Sequence, residues 1–233
     1  MAAVLSVGVT ARLGVWQLDR AAQKQALQAA LDTRSALPAI NTAMLARTPE
    51  QVAEQHFRRV RLQGRWMPEH TVFLDNRQMM GRPGFFVVTP LQLLGEKDAV
   101  LVQRGWAARD QRERTLVPAV PSPPGVVEVA GSIAPPPSRL YEFSTQASGT
   151  IRQNLDVAEF SREVALPLLP LSILESDSAL TAGDGLLRQW SPPAIDVHKH
   201  YGYAFQWFAL AALMTGLYVW FQLVRPRLRH ANA

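Results

Sequence analysis

The sequence predicts an α+β membrane protein, with two transmembrane helices flanking a mainly antiparallel β domain on the extracytoplasmic side. Three observations carry this. Ala204–Val224 contains no charged residue, and only Gln206 and Gln222 are strongly polar. At 1.5 Å rise per residue such a stretch covers roughly 31 Å, the thickness of a hydrocarbon core. Tyr201, Tyr203, Trp207 and Phe208 crowd one end of it and Tyr218, Trp220 and Phe221 the other, as interfacial aromatic belts do. Between residues 57 and 133, short β-branched or aromatic runs recur between turn residues. Hydrophobic content of 48% and a mean hydropathy of −0.03 keep most of the chain outside lipid.

Residues 2–18 (AAVLSVGVTARLGVWQL) are apolar but short, and Arg12 interrupts them. They read either as a cleaved signal peptide or as a first membrane helix (1–18) that lacks its beginning. The first reading wants a charged leader and a small-residue cleavage site, and neither is evident. In the second, Trp16 and Gln17 sit at the outer interface, with Arg20 and Lys24 in water. Helical spacing continues through Leu27 and Leu31 until Pro38 stops it. Thr48-Pro49-Glu50 starts a short helix that ends near Gln55.

Strands are expected at Phe57–Gln63, Thr71–Asp75, Gly84–Thr89, Ala99–Gly105 and Val126–Ile133. Turns fall at Asn76-Arg77 and at Gly95–Asp98. Gly64 and Gly131 close matching V-x-[LV]-x-G pieces, and read as places where a strongly curved strand bends. Prolines at 118–124 and 135–137 make extended connections. Leu155–Val164 suggests a short helix, Ile173-Leu174 a strand, and Leu186–Trp190 a segment pairing back before Pro192-Pro193. The sheet could close into a small barrel, which would hide its edges. The outer domain is thus 19–199 and the second transmembrane helix 200–224. The tail, 225–233, carries Arg225, Arg227 and Arg229 and is cytoplasmic by the positive-inside rule.

Net charge is +5, and three of those positive charges lie in the tail, so nucleic-acid binding has little support. Cysteine is absent, which excludes disulfides, CxxC redox chemistry and thiolate metal sites. There is no G-x-S-x-G, H-E-x-x-H, phosphate-cradling loop or dinucleotide fingerprint, so an enzyme is not expected. Asp75, Asp110 and Asp156 are scattered. His56 and His70 read as surface residues and His230 as part of the solvated tail.

His200 differs. With the helix begun by Val197, His200, Tyr203, Ala204, Trp207 and Ala211 share one face. An imidazole there could ligate haem iron, or could simply hydrogen-bond headgroups or the domain. Spacing alone favours the second. His198 points elsewhere. Ala212 and Gly216 form a small-xxx-small pair, expected to pack against the first segment near Gly14.

Four stretches carry a resemblance: Leu13–Arg20 (LGVWQLDR) with Lys24, Gly81–Leu91 (GRPGFFVVTPL), Val100–Trp106 (VLVQRGW) and His200–Phe208 (HYGYAFQWF). In this order, between two apolar segments, they resemble the surfeit locus protein 1 family of cytochrome c oxidase assembly factors. The resemblance implies two membrane helices around an outer domain, which favours the first-helix reading of residues 1–18. It implies a role in maturing haem-copper oxidase, with haem a bound transiently, as bacterial members look to do. The family's histidine falls on His200, in H-x-x-Y-A-x-x-W-F, which makes His200 the expected axial ligand of haem iron. Tyr203 and Trp207 would shape that site, Gly14, Trp16 and Gln17 would pack across it, and Arg20 would meet a haem propionate. The implied partners are the cytochrome c oxidase catalytic subunit, haem a synthase and the lipid membrane. With no Arg/Ser-rich presequence, the expected place is a bacterial inner (plasma) membrane, crossed more than once. The competing expectation is a cofactor-free scaffold that docks oxidase subunits through Arg77–Pro90 and Arg104–Arg109.

Overall fold

A computed structural model describes residues 2–110, 112–113, 115–134, 149–179, 181–190 and 196–231. The chain divides into two compact units, Leu31–Pro192 and the pair Met1–Ala30 with Pro193–Ala233.

The larger unit is built on β1 (Arg59–Trp66), β2 (Val72–Met79), β3 (Arg82–Leu93), β4 (Ala99–Ala108), β5 (Val127–Ala134), β6 (Ile151–Arg152) and β7 (Leu168–Glu175). Its strands run in the order β1-β5-β7-β4-β3-β2-β6, and β1 pairs again with β3. Strands β1, β5, β7, β4 and β3 therefore close into a barrel, antiparallel except for β4 with β7. One edge of β3 serves two partners. Arg82–Val88 bonds β2, and Leu91–Leu93 bonds β1. Closure removes the unpaired edge that an open sheet would leave.

Alternation along β1 puts Val60, Leu62 and Gly64 inside and Arg59, Arg61 and Gln63 outside. Val60 and Leu62 join Leu91, Leu93, Val100, Val102, Val129, Ile133, Leu169, Leu171 and Ile173 in one core, drawn from all five barrel strands. A short helix, α2 (Pro49–Gln55), adds Val52 to this core; Thr48 caps it and Pro49 opens it, as expected. A second helix, α3 (Val157–Glu163), capped by Asp156, lays Phe160 on Val72, Leu74, Val88 and Leu101.

The two glycines stand where predicted, for a sharper reason than bending. A Cβ on Gly64 would strike the Gln92 carbonyl, and one on Gly131 the Leu174 carbonyl. Gly64 pairs with both Val127 of β5 and Leu93 of β3, so it marks the corner at which the barrel closes.

Several local expectations need correction. The turn expected at Asn76-Arg77 is instead a bulge within β2, with Asn76 at φ 57° and Arg77 buried. Asn tolerates that left-handed conformation better than most residues. The actual turn is Met80-Gly81, both at positive φ, the two-residue geometry that matches strand twist. Strand β1 starts at Arg59 rather than Phe57, because Phe57 at φ 70° interrupts the extended chain. Leu187 does pair back, bridging Trp106. The proline connections at 135–137 and 192–193 lie outside the described residues.

The smaller unit contains two long helices. Helix α1 runs Ala2–Ala36 and ends before Pro38. Helix α4 (Val197–Val219) continues through one π-type turn (Trp220–Val224), where the Arg225 N–H reaches the Trp220 carbonyl, into α5 (Arg225–Ala231). The expected tail is thus helical through Ala231. Val197–Leu228 is long and apolar enough to cross a membrane, with a mean hydropathy of 1.6 over an 18-residue stretch within it. Among the described residues it is the one helix that meets this measure, and α1, with Arg12, does not.

Candidate functional site

Along α1, Thr10, Gly14 and Gln17 are buried, at spacings of four and three. On α4, Ala204 and Ala211 are buried, and His200 and Trp207 half-buried, at four, three and four. That spacing is the seam two helices make when they pack side by side. Small residues set the separation. A Cβ on Gly14 would lie 2.7 Å from the Phe208 ring, closer than any side chain tolerates. The Thr10 hydroxyl donates back to the Ser6 carbonyl at 2.9 Å, so it enters the seam with its polar group satisfied.

The expected small-xxx-small pair is not this seam. Ala212 and Gly216 are exposed, and nothing lies within 4 Å of a Cβ placed on Gly216. The partner face is offset by one residue, to Ala204 and Ala211. Both faces offer small residues, and only the second also carries His200 and Trp207.

At one end of the seam, Nδ1 of His200 lies 2.8 Å from Oε1 of Gln17. These residues are 183 positions apart in sequence, and each is placed by the regular geometry of its own helix. This is the only hydrogen bond of the His200 ring among the described residues. Trp16 and Arg20 lie together on the outer side of α1, with the guanidinium 5.6 Å from the indole centroid and donating to Gln23. Tyr203 is exposed, one turn along α4 from His200. The structure thus brings Gln17 to His200 and Gly14 to Phe208. It places Trp16, Arg20 and Tyr203 on open surface. His198 is exposed, as expected, and the side chain of His230 lies outside the described residues.

His56 is not the plain surface residue expected. Its Nε2 is buried with no partner among the described residues, and burial, then the nearby Arg34 charge, hold its pKa below the ordinary histidine value. The scattered carboxylates are structural: Asp75 pairs with Arg109, Asp110 accepts from the Arg112 and Glu113 N–H groups, and Asp156 caps α3.

Sequence reasoning missed one cluster entirely. Near one end of the barrel, the buried Arg188 pairs with Glu175 at 3.1 Å and with Asp184. Arg104, also buried, donates to Ser122 and to the Pro121 carbonyl, and its guanidinium lies 4.3 Å from the Trp66 ring centroid. Burial pushes the Glu175 carboxyl above its ordinary pKa, and Arg188 and Arg104 pull it back only in part. Burial pushes Asp184 the same way, but Arg188 and the Leu186 N–H outweigh it and hold Asp184 below. The cluster borders a cavity of about 420 Å³ with Trp66, Pro121 and Val127 on its wall. Asp184 and Arg188 are a local pair four positions apart, but Arg104 and Glu175 come from β4 and β7, and only the closed barrel gathers them all.

The docking stretches expected for a scaffold are largely internal. Arg77, Arg104, Trp106 and Ala107 are buried, and the Trp106 indole donates to the Arg77 carbonyl. The exposed residues of these stretches are the hairpin tip, Gln78 and Met80–Pro83, and Ala108.

A model of the SURF1 family matches residues 4–212 of this chain, from the first turns of α1 through the barrel to the end of the α4 seam. The chain belongs to the SURF1 family. A SURF1-like protein of Rickettsia bellii is 27% identical over 214 residues, 88% of this chain and 83% of that one. One of Drosophila melanogaster is 24% identical across 97% of this chain and 77% of its own length. The cytochrome oxidase assembly protein SHY1 of Saccharomyces cerevisiae is 29% identical over 99 residues, 42% of this chain and 25% of SHY1.

Proposed function

We propose that this SURF1-family chain is an assembly factor for haem-copper cytochrome c oxidase. It holds haem a through His200 near the outer membrane interface and aids its insertion into the catalytic subunit. Both long helices lie in a bacterial inner membrane with their far ends cytoplasmic, and the barrel is extracytoplasmic. The name of the yeast relative supports the assembly role. One observation supports the cofactor: a half-buried imidazole held in the seam at the polar end of an apolar helix.

The donor set fits a porphyrin better than a bare ion. No group of three histidine or carboxylate side chains that could hold a metal ion occurs among the described residues. A lone imidazole cannot saturate a free cation, but haem iron brings four nitrogens and asks the protein for an axial ligand. Tyr203, one turn along α4 from His200, and Trp16, next to Gln17 on α1, offer exposed ring surface, Trp207 lies half-buried in the seam, and Arg20 offers charge to a propionate. Haem a here is cargo, so no bond of a substrate is made or broken and no residue is given a catalytic role.

The test is an absorption spectrum of detergent-purified protein from cells that make haem a. Wild type should carry the cofactor and His200→Ala should lose it, with circular dichroism unchanged. An identical spectrum in the variant would sink the reading. The cofactor-free scaffold has one observation in its favour, the hairpin tip with Met80 69% exposed. Co-purification of the catalytic subunit that survives His200→Ala but not loss of that tip would favour it.

A further inference from the structure

We infer that Gln17 is a positioning residue, which makes His200 a competent ligand by fixing its tautomer across the helix seam. This rests on the haem reading for its consequence, but its core is a statement about one proton. The amide oxygen Oε1 of Gln17 has no hydrogen to give. At 2.8 Å from Nδ1 it is a partner only for an Nδ1–H donor. A neutral imidazole with its proton on Nδ1 carries its free lone pair on Nε2. Nε2 makes no hydrogen bond among the described residues, so that lone pair is available. Metal-binding histidines are oriented in this way, with the second ring nitrogen donating to a protein acceptor.

What is particular here is that acceptor and ligand sit on different helices. Gln17 is itself buried in the seam, so its amide is held by packing and not by solvent. The close approach that delivers it depends on Gly14, one turn before it on α1, beneath Phe208. Drawing α1 away would free the imidazole to rotate and to exchange tautomers. Ligand competence of α4 is therefore conferred by α1.

Two measurements on the full-length protein in lipid nanodiscs test this separately. The first needs no cofactor. With ¹⁵N-histidine labelling and His200→Gln to assign the signal, the pyridine-type nitrogen of His200 should be Nε2 in wild type. In Gln17→Met, which keeps the bulk and removes the acceptor, the two tautomers should mix. The second is titration with ferric haem a. Gln17→Met should bind about tenfold to a hundredfold more weakly, whereas Gln17→Glu, which keeps an acceptor, should stay near wild type with a more negative haem midpoint potential. If Nδ1 proves the pyridine-type nitrogen, or if Met and Glu variants weaken binding alike with the tautomer unchanged, Gln17 is a packing residue and the inference is overturned. If wild type shows the Nε2 lone pair yet binds no haem a, the haem reading fails and the tautomer assignment stands.

Discussion

The barrel buries its largest side chains, whereas the helix pair buries its smallest and exposes its largest. Inside the barrel unit Trp106, Phe85 and Phe160 are sealed off, and the buried Arg188 is matched by Glu175 and Asp184. On the helices Phe205, Leu213 and Trp220 stand half or more exposed while Ala204 and Ala211 are covered. The first pattern follows from water, which drives apolar area inward at about 25 cal/mol per Å². The second is the pattern expected in lipid, the setting proposed above for these helices, in which large apolar groups gain nothing by hiding and close backbone approach supplies the association. Stability and function separate along the same line: the barrel holds itself together, and the proposed chemistry sits in a seam that Gly14 and the alanines keep narrow.

The largest way to break this comparison is in the barrel. Arg188→Leu leaves the buried Glu175 and the partly buried Asp184 without their cation, and should destabilise the unit by about 3–5 kcal/mol. Denaturant unfolding followed by tryptophan fluorescence would read it, and an unchanged midpoint would show the cluster to be dispensable.

A smaller effect is expected in the seam. Gly14→Leu drives a side chain into Phe208 and should weaken helix association by about 1–3 kcal/mol, leaving barrel unfolding as it was. Ala211→Leu should act the same way, and Ala212→Leu, on the exposed face, should not. Because the chain has no native cysteine, disulfide trapping between cysteines introduced on α1 and α4 reports the pairing cleanly. Equal trapping in Ala211→Leu and Ala212→Leu would erase the distinction between the two faces.

The smallest effect is electrostatic. Nη1 and Nη2 of Arg152 both donate to Glu163, and this hydrogen bonding lowers its carboxyl pKa. A depressed carboxylate contributes stability that is present above its ordinary pKa and lost as pH falls through the lowered value. Acidification should therefore weaken wild type more steeply than Glu163→Gln, by a slight margin because the carboxylate is partly exposed. Identical acid limbs in thermal melts of the two proteins would remove this contribution.

Much of the fold was legible because it rests on local signals. The apolar run of α4, Thr48-Pro49 before α2, Pro38 after α1 and the β-branched strands each report through a few neighbouring residues. His200 and its companions on α4 were legible for the same reason, since a helix puts residues at fixed spacings on one face. Asn76 misled because a polar residue suited to left-handed φ serves a bulge as well as a turn. The Ala212–Gly216 face misled because small residues permit close packing without saying which of two faces receives it.

By itself, the sequence determined the family, the apolar helix, where most of the strands lie along the chain and the absence of thiol chemistry, since all are properties of composition or of short-range pattern. Tertiary structure alone decided that five strands close into a ring, that Arg104 and Glu175 meet Arg188 near its end, and that Gln17 reaches His200 from 183 positions away. Those are long-range pairings. They depend on how whole elements pack, and no local pattern of residues encodes the distance between two side chains on different elements.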